Sequence, residues 1–558
     1  MGSESGRRGA APRRRRRQRA RSAGRERRLA ALAAGGTVRS IKLRTALLAL
    51  LGALTLSWAP AAAKHAPAPI AFVPLDDRPV TYQLPLMLGE IAGVDVRTPP
   101  VALIGHYLAP GDPDAILRWL GGERTEGVEA LVVSSDMAVY GGLVAARVDD
   151  TPEYTAVSRI RRLGAVRSGR PNAWVAVFGT VMRLAPTWTP STAEQTQLIT
   201  QYANLPDPPQ TAQEREKADG LTARLGPALQ RYLAARRRDA GVDLWMLQLA
   251  AQGDFDRVVL GQDDAGRVGL HVKDVRALER AQRLFDLGDR SSIEPGADEL
   301  GMTLLAHAIA REANWSPRIA VRYSTPQGAR TQDPLEFTSA DQTIGHLIAL
   351  SGSTRDDGPG HDVALFVRTP ETTADEEQTF LDAIAAEMPS HVVAVADLSF
   401  LASHDMAAQR RLTEDLIARG IAGKIDAFAS WNTTANTVGT AIAEALTVGA
   451  AERMGTYDAR AHAQFMLDRY ADDFAFHDAV RPALNSALSE RGVHDHTLLF
   501  DDALSFADRY NRAALWPHAL ALLAQIYPQY RDAGLTITLP WERTFETKLD
   551  VRLDPGRS

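Results

Sequence analysis

Residues 70–79 read IAFVPLDDRP, an apolar run followed at once by two aspartates and an arginine. The run Ile70–Leu75 has the continuous apolar character of a strand that is buried on both faces of a parallel sheet. Asp76, Asp77 and Arg78 stand directly after it. Ligands of parallel α/β sheets bind beyond the carboxyl ends of the strands. The stretch therefore predicts both an α/β fold and a functional edge of its sheet.

Eight further runs of the same kind follow along the chain, at residues 94–98, 130–135, 174–182, 257–260, 319–323, 363–367, 392–396 and 425–430. The segments between them have helical periodicity and helix-start signals. Strands that alternate with helices indicate a mainly parallel sheet. We predict two doubly wound, mainly parallel α/β lobes, with an elaborated eight-stranded β/α barrel as the alternative.

The domain boundaries follow from length and from changes of pattern, because this chain is longer than one hydrophobic core normally serves. Residues 64–290 are predicted to form the first lobe, which contains a polar helical insertion or lid at 194–240. Residues 291–450 form the second lobe. Residues 451–558 form a helical C-terminal region that closes with a strand or hairpin.

The first 63 residues have the character of a basic extension followed by a signal peptide. The apolar core of this leader, residues 45–58, is shorter than the roughly 20 residues that span a bilayer. It lies between a charged region and a small-residue cleavage site, formed by Arg39, Lys42 and Arg44 and by Ala61, Ala62 and Ala63. We expect cleavage, a periplasmic or secreted location, and no stable membrane insertion of the remainder, which has no second run of membrane length.

The charge of the chain is divided unevenly. Residues 1–64 contain 16 Lys and Arg and two acids, so the remainder has 47 basic and 66 acidic residues. An acidic body repels nucleic acid and favours a small-molecule or oligosaccharide partner. The chain has no Cys, which removes thiol nucleophiles and thiolate metal sites.

Three predicted strands deliver aspartates to one edge of the first lobe, since Asp136 follows the run 130–135 and Asp263 and Asp264 follow 257–260. A single such aspartate is commonly a helix cap. A cluster of carboxylates repels, and proteins retain it for a metal, a proton-transfer pair or a hydroxyl-rich ligand. The predicted catalytic pool is Asp76, Asp77, Asp136, Asp263 and Asp264. Asn at position 76 or 77 is expected to leave a folded, inactive protein.

Other strand-end side chains suit substrate binding. Trp431 can stack on a sugar ring, and Asn432 and Asn436 can form hydrogen bonds with its hydroxyls. Glu299 opens a helix, where it can also serve as a cap. The predicted substrate-binding residues are Arg78, Tyr140, Glu299, Arg322, Trp431, Asn432 and Asn436.

Missing motifs exclude several chemistries. The chain has no G-x-S-x-G elbow, so a standard α/β-hydrolase serine is not expected. No Walker A loop or G-x-G-x-x-G follows a strand, which argues against P-loop and dinucleotide enzymes. The zinc-protease motif H-E-x-x-H is also missing.

Six blocks of the sequence resemble the signature of a bacterial family catalogued as domain of unknown function 4127. They are PLDDRP at 74–79, SDM and YGG at 135–142, GQDD at 261–264, GADE at 296–299, WNT at 431–433 and Asn436. The resemblance spans Ile70 to about Phe545 in order. It implies no agreed reaction, although family members look like companions of sugar and cell-wall-recycling enzymes. Related sequences tend to have Tyr or Gly before the WNT block, where this chain has Ala429 and Ser430.

We therefore predict an exported carbohydrate-active hydrolase, a glycosidase that uses strand-end aspartates in a cleft between the lobes. The first alternative is a metal-dependent hydrolase in which Asp76, Asp77 and either Asp263 or Asp264 hold Mg²⁺ or Ca²⁺ through oxygen ligands. The second is a non-catalytic sugar-binding protein that closes on its ligand.

Overall fold

The computed structural model describes residues 66–148, 151–187, 192–403 and 406–556. These residues belong to one compact unit. The predicted leader, residues 1–63, lies outside the described residues. In the described part of the chain, no helix combines the length and apolar character needed to cross a membrane.

The first sheet contains β1 Ile70–Val73, β2 Val96–Arg97, β3 Ala130–Ser134, β4 Trp174–Val181, β5 Arg257–Gln262 and β6 Ser291–Pro295. All its strands are parallel, in the order β2-β1-β3-β4-β5-β6. The order reverses direction between β1 and β3, which is the position where doubly wound sheets bind ligands. Strand β6 was not predicted, because its sequence, SSIEP, contains only one large apolar residue.

The second sheet contains β7 Arg318–Tyr323, β8 Thr354–Arg355, β9 Val363–Arg368, β10 Val392–Asp397 and β11 Ala427–Ser430. Its strands are also parallel, in the order β11-β10-β9-β7-β8. The two-residue strand β8 is exposed and carries no apolar pattern. Two separate open sheets confirm the predicted α/β class, and the barrel alternative is wrong.

The α-helices are α1 Leu84–Ala92, α2 Pro113–Leu120, α3 Ser135–Tyr140, α4 Leu143–Val148, α5 Glu153–Ala165, α6 Ala193–Ala203, α7 Ala212–Leu225, α8 Pro227–Gln252, α9 His271–Leu284, α10 Leu300–Glu312, α11 Ala340–Leu350, α12 Ala374–Glu387, α13 Phe400–Ser403, α14 Met406–Ala418, α15 Thr434–Met454, α16 Ala459–Arg469, α17 Arg481–Glu490 and α18 Asp501–Ile526. Two π-helices, Pro79–Gln83 and Tyr470–Val480, adjoin α1 and α17. Residues 194–240, predicted to be a lid, form α6, α7 and the first half of α8.

A single apolar cluster joins the two sheets. It includes Phe72 and Phe178 of the first sheet, Leu365 of the second, and Leu305 and Leu446 from α10 and α15. Helices α10 and α15 pack against each other. Helix α15 is buried over nearly its whole length, which requires its small residues, TANTVGTAIAEALTVGAA. The two sheets therefore share one core.

A C-terminal antiparallel hairpin completes the chain, as its alternating pattern predicts. Strands β12 Tyr530–Thr538 and β13 Lys548–Pro555 pair with each other and pack on α18 and α16. The hairpin loop, residues 539–547, reaches the carboxyl edge of the first sheet. The predicted lobe boundary near residue 290 stays a prediction, with β6 as the last strand of the first sheet.

Candidate functional site

A cavity of about 350 Å³ lies beyond the carboxyl ends of β1, β5, β6 and β11. Walls come from loops after these strands, from the beginnings of α10 and α15, and from the hairpin loop. Six of the predicted site residues line it: Arg78, Asp263, Asp264, Glu299, Asn432 and Asn436. The structure thus brings together half of the residues predicted from sequence, from both sheets.

Arg78 is the cation on the first-sheet side of this cavity. Its guanidinium donates to both carboxylate oxygens of Asp76, at 2.8–3.0 Å, and to both oxygens of Asp298, at 2.6 and 2.9 Å. The Arg78 guanidinium also lies 4.9 Å from the centre of the Trp541 ring. Burial favours the neutral acid at Asp76, but the charge and hydrogen bonds of Arg78 prevail and lower its pKa. Asp76 therefore positions Arg78 from behind.

The two aspartates after β5 also have arginine partners. Arg147 of α4 pairs with Asp263, and Arg183 pairs with Asp264 at 2.9 Å. Asp264 adopts a positive φ of 43°, which turns the chain directly after the strand. Both arginines and both aspartates line the cavity, so each carboxyl group reaches it already paired with a guanidinium.

Glu299 differs from these aspartates because it has no cationic partner among the described residues. It is 1% exposed, and its Oε1 atom is buried without a hydrogen-bond partner. Burial, together with the charges of Asp298 and Glu336, raises the pKa of Glu299 well above its usual range. Two glycines make room for this side chain, since a Cβ atom at Gly296 would collide with Oε1 and one at Gly439 would stand 2.6 Å from Cγ. Glu299 is thus a buried carboxyl group at the cavity wall, and its raised pKa favours the protonated form.

Glu336 is a second buried acid in the cavity wall. Its Oε1 accepts from the backbone N–H of Ala435 at 2.6 Å, beside Asp333, whose carboxylate accepts from the N–H of Thr434 at 2.8 Å. The two acids thus satisfy the first turn of α15, as expected for negative side chains at a helix N-terminus. Burial and the charge of Asp333 raise the pKa of Glu336 to about 8.

The hairpin loop is fastened to the first sheet through Asp77. Asp77 accepts a hydrogen bond from Trp541 Nε1 at 2.7 Å, and its other oxygen lies 2.7 Å from His106 Nδ1. The Trp541 ring stacks on Tyr107, with centroids 4.8 Å apart. His106 also lies 3.3 Å from Glu542 of the same loop. Asp77 therefore acts as the anchor of the loop that covers the cavity.

Six predicted residues do not line this cavity, and two of them, Asp76 and Asp77, support its wall through Arg78 and Trp541. Asp136 is buried and accepts from the backbone and hydroxyl of Thr180, and burial raises its pKa to about 6. The other three are Tyr140, Arg322 and Trp431. The Tyr140 ring lies beneath the guanidinium of Arg238, Arg322 donates to the carbonyl of Asp357, and Trp431 stacks on His477. The positions of these side chains depend on where each helix begins and in which direction each strand points, and the sequence pattern does not predict either.

Several lining residues were missed by sequence reasoning, namely Arg147, Arg183, Asp298, Glu336 and Trp541. Arg147 has the appearance of an ordinary helix arginine, and Glu336 belongs to a loop thirteen residues beyond the end of β7 at Tyr323. A signal did exist for Asp298, which directly precedes Glu299 in the GADE block.

The proposed Mg²⁺ or Ca²⁺ ligands face nitrogen donors instead. Arg78 takes both oxygens of Asp76, Trp541 and His106 contact Asp77, and arginines pair with Asp263 and Asp264. A hard cation needs several free oxygens at one point. These four aspartates do not offer them, so the residues do not fit the metal.

Comparisons with known proteins identify the family of this chain but indicate no enzymatic reaction. The model of the family described as “Protein of unknown function (DUF4127)” matches residues 70–550. No curated protein matches the chain. Among solved structures, the chain resembles the carboxyl transferase domain of Rhizobium etli pyruvate carboxylase with 3-bromopyruvate at 12% identity and a TM-score of 0.18, covering 84% of this chain and 60% of that one. The complete R. etli enzyme gives 10% identity and a TM-score of 0.17, covering 80% and 35%. These scores carry no argument about fold or function.

Proposed function

This chain belongs to the DUF4127 family of proteins of unknown function, and we propose that it is a carbohydrate-active hydrolase, a glycosidase, with its site in the cavity. One observation carries the proposal: Glu299, a buried carboxyl group with a raised pKa, and two arginine-paired aspartates, Asp263 and Asp264, line the same small cavity. Glycoside hydrolysis uses such a pair, one carboxyl to protonate the leaving oxygen and one to act as nucleophile or base.

Glu299 is the general acid in this proposal, because burial keeps its proton in place at neutral pH. Asp264 is the carboxylate partner, since its side chain is the more exposed of the two paired aspartates, at 40% against 13%. Asn432 and Asn436 supply amide groups to substrate hydroxyls. Export through the leader at residues 38–63 is part of the same proposal.

The test is a screen of aryl glycosides and muropeptides with the wild type, Glu299→Gln and Asp264→Asn. Loss of a general acid should cut turnover by about two orders of magnitude or more on substrates with poor leaving groups. It should cut turnover far less on a dinitrophenyl glycoside, whose leaving group needs no proton. Asp264→Asn should lose activity on both kinds of substrate.

Glu294→Gln is the matched control, because Glu294 is as buried as Glu299 but belongs to β6 outside the cavity and pairs with His346. It should retain wild-type turnover. Cleavage of no sugar by the wild type, or equal loss on good and poor leaving groups in Glu299→Gln, contradicts the assignment. Binding without turnover indicates the sugar-binding alternative.

A further inference from the structure

Two histidines and a glutamate meet at the amino edge of the second sheet, away from the cavity. His361 precedes β9, His391 precedes β10, and Glu387 ends α12. The strands are parallel, so their amino ends lie opposite the carboxyl edge that carries the cavity. The three side chains place ligand atoms within 4.8 Å of one another.

The geometry of these atoms is not that of a hydrogen-bonded cluster. Glu387 Oε2 lies 3.4 Å from His361 Nε2 and 2.6 Å from His391 Nδ1. Nevertheless, both nitrogens are buried without a hydrogen-bond partner among the described residues. The imidazole rings are stacked, with centroids 4.1 Å apart.

A backbone carbonyl determines the tautomer of His361. Its Nδ1 lies 2.7 Å from the carbonyl oxygen of Gly358, which can only accept, so Nδ1 carries the proton. Nε2 is then the ring nitrogen that is available to a metal, and it lies 3.4 Å from Glu387 Oε2. The His361 side chain is 3% exposed, and Nε2 has no hydrogen-bond partner among the described residues. Metal-binding histidines are typically oriented by such a hydrogen bond from the other ring nitrogen.

We propose that His361 Nε2, His391 Nδ1 and Glu387 Oε2 bind a divalent transition-metal ion, of which Zn²⁺ fits best. Two imidazoles and one carboxylate are a common zinc ligand set, and three protein ligands leave a fourth position for water. Glu387 and His391 are about one-fifth exposed, so that position faces solvent. The ion would join the end of α12 to the segments that enter β9 and β10, and it is independent of the proposed reaction.

The test uses the full chain without a histidine tag, stripped with a chelator and dialysed against Zn²⁺ alone. We expect one ion per chain by elemental analysis, and with Co²⁺ the visible absorption of a tetrahedral nitrogen-ligated site. His361→Gln, His391→Gln and Glu387→Gln should each weaken affinity at least about 100-fold, the upper end of the loss seen when only a supporting hydrogen bond is removed. His346→Gln is the control, because that histidine pairs with Glu294 but belongs to no group of three metal ligands among the described residues; this variant should bind the ion normally.

The proposal is overturned if wild-type protein retains less than half an ion per chain, or if His361→Gln binds as the wild type does. Circular dichroism verifies that each variant is folded. If a variant fails to fold, the Co²⁺ spectrum of the wild type decides, since a spectrum without nitrogen ligation rejects the site.

Discussion

Carboxyl groups around the cavity differ in the partner that each one meets. Asp76 contacts a guanidinium, and its pKa is lowered, whereas Glu299 and Glu336 are buried without a cation and have raised pKa values. An acid that keeps its proton in the folded state makes stability depend on pH in the direction opposite to that of an ion-paired acid. Single substitutions can therefore separate the two kinds of acid.

Glu336 should make the protein less stable as pH rises. Its folded-state pKa is about 8 against an ordinary value of 4.5. Between these values the folded state binds more protons than the unfolded state, so the free energy of unfolding falls as pH increases. Glu336→Gln keeps the oxygen that accepts from Ala435 and removes the titration. The melting temperature of this variant should decline less between pH 5 and pH 8, roughly the window between those two pKa values, and a parallel decline in both proteins would contradict the prediction.

Asp76→Asn should destabilise the protein, although the sequence alone predicted a folded variant. Asp76 is 2% exposed and holds the buried Arg78, so the amide leaves that cation with Asp298 alone. We expect a loss of roughly 2–3 kcal/mol, less than the cost of a fully unpaired buried charge. Denaturant midpoints measure it. An unchanged midpoint would show that Asp298 suffices as the partner of Arg78.

At the scale of elements, α10 and α15 pack closely at Gly439, where a larger residue would collide with Glu299 of the cavity wall. Gly439 of α15 touches the side chain of Glu299 at the beginning of α10. Gly439→Ala should improve helix propensity, yet its Cβ would stand 2.6 Å from Glu299 Cγ and force the acid or the helix to shift. Overpacking of this kind costs about 1–3 kcal/mol.

Gly345→Ala in α11 is the matched control for this prediction, because no atom lies within 4 Å of its added Cβ. It should stabilise the protein by about 0.5–1 kcal/mol, measured by the same denaturation. If Gly439→Ala gains stability as Gly345→Ala does, the close contact of α15 with Glu299 is not rigid.

The sequence predicts where the strands lie, but it does not predict which distant residues contact one another in the fold. Apolar runs located nine strands and placed Asp263, Asp264 and Asn432 at the correct edges, because a strand buried on both faces leaves a local signature. The residues that contact these side chains leave no such local signature in the sequence. Arg147 reaches Asp263 from a helix more than a hundred residues earlier, and a one-dimensional pattern carries no information on that approach.

At the scale of the whole molecule, the last hairpin covers a site built by the first strand. Trp541 reaches Asp77 across 464 residues of sequence, and Arg543 lies 4.5 Å from the Trp541 ring. The rest of the loop contacts C-terminal segments, where Thr544 donates to Asn485 and the carbonyl of Glu542 accepts from Leu499. The loop at 539–547 is therefore joined to the first sheet through Trp541 and His106.

Docking of this loop should weaken as pH rises. Partial burial opposes the charged imidazole of His106, but the hydrogen bond and charge of Asp77, together with the charge of Glu542, raise its pKa above 6.5. A raised histidine pKa gives stabilisation that is complete below 6.5 and is lost as pH passes the raised value. Protection factors for amide hydrogen exchange at residues 539–547, which are corrected for the intrinsic effect of pH on exchange, should fall over that range in the wild type. In His106→Gln they should be lower at the start of the range and should not change across it.

His494→Gln, in another loop, should exchange as the wild type does. Equal pH dependence in His106→Gln and the wild type would remove His106 from the docking of the loop.

The covering of Asp77 by Trp541 also determines when the cavity can exist during synthesis. Both sheets can be completed once residue 430 has left the ribosome, but the wall that Trp541 contributes arrives more than a hundred residues later. A nascent chain of this length therefore contains the acidic residues of the cavity but lacks the wall that Trp541 contributes. A product that stops shortly before residue 541 would lack both the Trp541 wall and the β13 residues Leu549, Val551 and Leu553, which pack with the core of the second sheet.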